Sequence, residues 1–182
     1  MPVVVVPYSS DWPVHFEQVA RDLRAALAAV PSATVEHVGS TSVPGLAAKP
    51  ILDIDVIVEG VDMDAAVAAL VTVGYAHRGD LGVADREAFA SPDEEPRRHV
   101  YVCRAGTLNV RNHLAVRDAL RARPDLRDEY AATKLALAAD AAMDIDTYIA
   151  RKSTVLQKVL AASDLTPDER LRILRLNDPS AG

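Results

Sequence analysis

One twenty-residue stretch limits what this chain can fold into more than any other. It runs His37-Val38-Gly39-Ser40-Thr41-Ser42-Val43-Pro44-Gly45-Leu46-Ala47-Ala48-Lys49-Pro50-Ile51-Leu52-Asp53-Ile54-Asp55-Val56. Thr34 to Val38 reads as a strand, and a loop punctuated by glycine and proline follows from Gly39 to Pro50. Ile51 to Val58 is rich in Ile and Val and reads as a central strand. Small residues at Gly39-Ser40, directly after a strand, let backbone N–H groups approach an anion, and a short helix over 43–48 would add its positive end. No Gly-Lys-Ser/Thr occurs, so this is not a P-loop. Asp53 and Asp55 stand two apart on the second strand and therefore share a face. Two carboxylates side by side in a sheet repel unless a cation lies between them. Oxygen ligands of this kind suit Mg²⁺ (or Mn²⁺) bridging to phosphate oxygens.

The rest of the chain supplies a frame for that segment. Residues 12–29 carry apolar side chains at helical spacing, and Val3 to Val6 is a candidate edge strand. A helix is expected over 63–73, a weak strand over 75–78 and a short one over 87–90. His99 to Cys103 and Thr107 to Val110 read as a hairpin around Ala105-Gly106. From Asn112 the pattern turns helical, with helices expected over 113–122, 125–139 and 144–162. Thr166-Pro167-Asp168-Glu169 is a capping box that opens a last helix ending near Leu176. The expected organisation is an α/β core over 1–111 and a helical bundle over 112–182 packed on it as one unit.

Composition narrows the partners. The 182 residues are 49% hydrophobic and 25% charged, which is a globular balance. A net charge of −6 makes nucleic acid an unlikely partner, since the chain lacks a basic surplus. The single cysteine, Cys103, excludes an intrachain disulfide and a multi-cysteine zinc site. No apolar run approaches a membrane span, and Met1-Pro2-Val3-Val4 lacks the basic start of a signal peptide, so a cytoplasmic protein is expected.

The strand, Gly-Ser turn and Asp-x-Asp strand together resemble the nucleotidyltransferase superfamily, with its polymerase-β-like core. More narrowly, Val-Gly-Ser-Thr-Ser-Val-Pro-Gly-Leu-Ala-Ala-Lys-Pro followed by Asp resembles the GrpB family, also called UPF0157. Pro7-Tyr8, Trp12-Pro13, Asn112-His113-Leu114, Arg117-Asp118, Glu129-Tyr130, Lys134 and Lys152 match as well. The resemblance spans about residues 3–162. It implies metal-dependent transfer of a nucleoside monophosphate to a small acceptor. Gly39, Ser40, Thr41 and Ser42 would then cradle the triphosphate, and Asp53 and Asp55 would hold the metal. Superfamily members carry a third carboxylate on a later strand. Here that strand reads Arg97-Arg98-His99-Val100-Tyr101-Val102-Cys103, so His99 is the nearest substitute. The departure leaves two alternatives open: a non-catalytic nucleotide or small-ligand binding module, or a different group transfer, such as joining an amine to an acyl group.

The helical half supplies cations for an anionic ligand. His113, Arg117 and Arg121 lie at i, i+4, i+8, and Tyr130 and Lys134 repeat the i, i+4 step. Lysine is rare here, with only four residues, and three of them, Lys49, Lys134 and Lys152, fall at positions that match the family. Arg117, Lys134 and Lys152 are expected to close on the polyanion from the side opposite the Gly-Ser turn.

Overall fold

The computed structural model describes residues 4–139 and 145–177. Five strands form one sheet: β1 (Thr34–Val38), β2 (Leu52–Val58), β3 (Ala76–His77), β4 (Arg86–Ala90) and β5 (Arg98–Arg104). Their spatial order is β1-β2-β5-β4-β3, with β2 and β5 parallel and the other neighbours antiparallel. The helices are α1 (Asp11–Ala26), α2 (Met63–Thr72), α3 (Leu108–Ala122), α4 (Pro124–Ala139), α5 (Ile145–Ala161) and α6 (Pro167–Asn177). None of the described helices is long and apolar enough to cross a membrane.

Strand parity divides the sheet into two chemically different faces. Leu52, Ile54, Val56 and Val58 of β2 join Val100 and Val102 of β5 in a core with Trp12, Phe16, Val19 and Leu23 of α1 and Ala66 and Leu70 of α2. The intervening residues, Asp53 and Asp55, must then face the other way. Across the β2–β5 pairing, Asp53 stands opposite His99 and Asp55 opposite Tyr101, and across β1–β2 Asp55 stands opposite Glu36. The apolar alternation that builds the core is therefore also what lines up polar groups on the opposite face. That face is met by the C-terminal helices. Val43 and Leu46 of the loop pack with Ala119 and Leu120 of α3, Tyr130 of α4, and Val155 and Val159 of α5. Ala115, Leu160, Leu165 and Ile173 extend this packing to α6.

Three local expectations are corrected. Thr107 to Val110 is not a strand, because α3 begins at Leu108 behind a Gly106 turn with φ +75°. β5 already has β2 on one side and β4 on the other, so no edge is open for a third partner. Residues 43–48 do not form a helix. Pro44 and a Gly45 at φ +82° break the backbone, and the helical turn is a 3₁₀ segment at Ser40–Ser42 instead. The edge strand expected at 3–6 reduces to one antiparallel bridge between Val6 and Ala48, with Val3 outside the described residues.

Candidate functional site

Gly39 sets the geometry of the turn. Its φ is +71° and its ψ −173°, a conformation open to glycine and hardly to other residues. A Cβ there would lie 2.3 Å from Asp53 Oδ2, so the bare backbone is what lets the loop lie against the carboxylate. Ser42 Oγ donates to Gly39 O at 2.6 Å and tightens the turn. Beneath it, the Thr41 hydroxyl donates to Ile51 O at 3.3 Å, tying the start of the loop to the start of β2. Thr41 Oγ1 is therefore left to accept from His37 Nε2–H at 3.0 Å. His37 also stacks on Phe16, with ring centroids 4.5 Å apart.

Burial first, and then the nearby Arg121 charge, push the His37 pKa down to about 4 from 6.5, so the ring is neutral at pH 7. The unfolded chain binds more protons than the folded one between those two values. Stability is accordingly expected to fall as pH drops from about 6.5 to about 4. The difference corresponds to at most about 3 kcal/mol at 1.36 kcal/mol per pKa unit. Urea titrations at pH 7 and pH 4 check this, and His37→Gln is expected to flatten that part of the profile; an unchanged slope in the variant contradicts it.

The carboxylates are each held by an imidazole. His99 Nδ1 lies 3.0 Å from Asp53 Oδ1, and that hydrogen bond raises the His99 pKa above its ordinary value against the pull of partial burial. Asp55 is fully buried, and its Oδ2 lies 2.7 Å from His113 Nδ1 on α3. Burial lowers the His113 pKa, but the hydrogen bond to Asp55 and the two aspartate charges outweigh it, so the net shift is upward. Sequence parity gave these aspartates one face, but it could not show that α3 lays His113 over Asp55.

Lys134 on α4 is buried, at 4% exposed, and its Nζ donates to Ser40 Oγ at 2.7 Å and to Ala47 O at 2.9 Å. The buried Tyr130 ring, one turn earlier, lies 5.3 Å from the same Nζ. Burial, and secondly the charge of Lys152, bring the Lys134 pKa down to about 7. Lys49, Lys134 and Lys152 converge with Ser40, Thr41, Ile51, Asp53 and His99 around a cavity of about 170 Å³. Loop, β2, β5, α4 and α5 thus each contribute to one small space. Gly39, Ser42, Asp55, His113 and Tyr130 border these residues without lining the cavity itself.

Arg117 does not join this cluster. Its Nη1 donates to Glu36 at 2.6 Å and to His37 O at 3.2 Å, and its Nε donates to Asp118 at 2.7 Å. Its charge is used to fasten α3 to β1, so of the expected trio only Lys134 and Lys152 line the cavity, and Lys49 lines it with them. Arg121 likewise donates twice to Ser42 O, at 3.0 and 2.7 Å, holding the turn in place. The i, i+4, i+8 spacing signalled this helix face; Glu36 and the loop carbonyl that receive it carry no sequence signal.

The donor set bears on a metal. Asp55 Oδ1 is buried without a hydrogen-bond partner, as are Arg86 Nε and Asn112 Oδ1. An orphaned carboxylate oxygen beside a second aspartate on the same face fits a hard divalent cation. Among the described residues no three His, Cys, Asp or Glu side chains converge to hold an ion alone. A cation here would draw its remaining ligands from phosphate and water, as Mg²⁺ commonly does.

Comparison with known proteins now decides the family. The family described as GrpB protein matches residues 2–162. The chain belongs to the GrpB family. A UPF0157 protein of Halalkalibacterium halodurans is 35% identical over 90% of this chain and 84% of its own length. In Bacillus subtilis, the UPF0157 protein YqkA is 32% identical over 82% of this chain but only 44% of its own length. The crystal structure of the conserved protein GrpB from Enterococcus faecalis superposes with a TM-score of 0.72 and 32% identity, over 87% of this chain and 98% of that one. Cid1, solved in complex with its short product ApU, shares the fold at 18% identity and a TM-score of 0.52, over 71% of this chain and 42% of Cid1. The GrpB fold is therefore nucleotidyltransferase-like.

Proposed function

We propose that this GrpB-family protein is a nucleotidyl transferase that moves a nucleoside monophosphate from a triphosphate to a small acceptor. The observation that carries this reading is the convergence of three of the chain's four lysines with Ser40 and Thr41 beside Asp53 in one cavity. A triphosphate near pH 7 carries about four negative charges, and a closed cleft must balance them with fixed cations. Lys134 and Lys152 from the helices and Lys49 from the loop supply them, while Ser40 and Thr41 offer hydroxyls to phosphate oxygens. Asp53 and Asp55 would hold Mg²⁺ or Mn²⁺, which, when bound, neutralises charge on the transferred phosphoryl group and its leaving pyrophosphate. Gly39 keeps the loop close enough to Asp53 for phosphate and carboxylate to share one small volume.

A second reading has its own support. Both aspartates are already tied to imidazoles, which suits a nucleotide-binding module that does no chemistry. Thermal unfolding with each nucleoside triphosphate, and with acyl-CoAs, with and without Mg²⁺ or Mn²⁺, tests the binding that both readings share. A triphosphate at about 100 times its Kd is expected to add roughly 2.7 kcal/mol of stability, and only with the metal present. Asp53→Asn is expected to abolish the metal-dependent part while the apo fold survives. Calorimetry showing unchanged metal and triphosphate binding in that variant removes the proposed site, and product formation separates enzyme from binding module.

A further inference from the structure

A second cavity, of about 250 Å³, adjoins the lysine-lined one and shares Ile51 and His99 with it as a common wall. Its lining includes Phe89 of β4 and the charged pair Asp93 and Arg98. These two are used up by each other: Arg98 Nη1 and Nη2 reach Asp93 Oδ1 and Oδ2 at 2.7 and 2.9 Å. Two further charges of opposite sign, Arg97 and Glu94, line the same cavity, and neither has an ion-pair partner among the described residues. A cavity of this size, below the roughly 300 Å³ of drug-sized sites, takes a small molecule. One free cation and one free anion on its walls match a molecule that carries both charges itself.

The acids on the cleft side of the sheet add an independent constraint. Transfer to a hydroxyl or an amine requires a base to remove the nucleophile's proton. Asp53 is bonded to His99 and Glu36 to Arg117, while Asp55 is bonded to His113 through Oδ2 and lies fully buried outside the cavity lining, so no carboxylate on this part of the face stands unengaged at the cavity. β5, which borders Asp53, contributes no Asp or Glu. A nucleophile that arrives without a proton needs none of them, and a carboxylate is such a nucleophile.

We infer that the second cavity is the acceptor subsite, that its occupant is a small zwitterion of the amino-acid class, and that the reaction is activation of its carboxylate. The inference rests on the nucleotidyl-transfer reading and supplies its acceptor. A carboxylate oxygen forms a bond to the α-phosphorus of the triphosphate. The bond from that phosphorus to the bridging oxygen breaks, and pyrophosphate leaves with the electron pair. No proton moves. Arg97 steers the acceptor's carboxylate toward the shared wall, and Glu94 receives its ammonium group.

The test uses the full chain, each of the four nucleoside triphosphates with Mg²⁺, and a mixture of the twenty common amino acids. Exchange of labelled pyrophosphate into the triphosphate is expected to rise at least tenfold when amino acids are added. Hydroxylamine is expected to trap a hydroxamate, and ¹⁸O from a labelled carboxylate should appear in the released nucleoside monophosphate. Arg97→Gln is expected to raise the KM for the amino acid at least tenfold with the triphosphate KM within twofold, and Arg97→Lys to recover part of the loss. If a triphosphate stabilises the protein with metal but exchange stays at the amino-acid-free rate, the acceptor assignment falls and the transfer reading stands. Labelling of a hydroxyl compound such as glycerol, with no exchange on amino acids, overturns it in the same way. Absence of any triphosphate binding overturns both.

Discussion

Gly39→Ala is expected to destabilise the protein by about 3 kcal/mol or more and to abolish ligand binding in the lysine-lined cavity. Two costs combine. The backbone at φ +71° and ψ −173° lies where a side chain costs about 1–3 kcal/mol. The new Cβ would also lie 2.3 Å from Asp53 Oδ2 and 3.0 Å from Asp53 Cβ, and forcing extra volume into packed surroundings typically costs about 1–3 kcal/mol. Any relaxation must move either the turn or Asp53, and both belong to the proposed phosphate site. A double-mutant cycle isolates the clash. Asp53→Ala removes Oδ2, so the Gly39→Ala penalty is expected to shrink by at least about 1 kcal/mol in that background while the backbone strain persists. Equal penalties in the two backgrounds would mean that the turn and Asp53 are not in contact.

Sequence pattern carries one part of this site and cannot carry the other. Alternation makes the β2 face legible: Leu52, Ile54, Val56 and Val58 have to go inward, which forces Asp53 and Asp55 to the opposite side. Depth is another matter. Asp53 lines the cavity while Asp55 lies buried beside it with Oδ2 on His113 of α3, and where a helix meets a sheet is a tertiary fact. The lysines were legible because they are so few. Three of the four fall at motif positions and line one cavity, and Lys134 is buried there at a cost to its charge. Arg117 looked equivalent, since helical spacing tells which side chains share a face and nothing about what that face meets. The residue that claims it, Glu36, is eighty-one positions away. Thr107 to Val110 misled for a local reason: β-branched residues after a glycine turn read as a returning strand. The sheet had already seated β4 and β2 on both sides of β5.

Lys134→Met is expected to separate stability from binding. At 4% exposure, and with its pKa brought down to about 7 from 10.5, Lys134 is disfavoured as a cation in the folded chain. The unfolded chain holds the proton throughout that interval, so the wild-type protein gains stability as pH rises from about 7 to about 10.5. Three and a half pKa units correspond to about 5 kcal/mol. Methionine removes that penalty at similar volume but loses the hydrogen bonds to Ser40 Oγ and Ala47 O, worth about 0.5–1.5 kcal/mol each, and leaves the carbonyl unpaired. The variant is therefore expected to be more stable than wild type by about 1–2 kcal/mol at pH 7, and less stable near pH 10, where the folded wild-type amine is neutral and most of that penalty is gone. Binding should move the other way. An anion beside Lys134 favours the charged amine, so wild-type affinity for a triphosphate is expected to fall as pH rises above about 7, and the variant should lose that dependence together with at least tenfold in affinity. Lys152→Ala, at a partly exposed position lining the same cavity, is expected to lose about tenfold in affinity with little change in stability. Urea denaturation at pH 7 and pH 10, with calorimetric titration of ATP across the same range, reads both effects. A Met variant that is destabilised at pH 7 and still binds ATP with the wild-type pH profile would show that Lys134 serves the packing of α4 and not an anion.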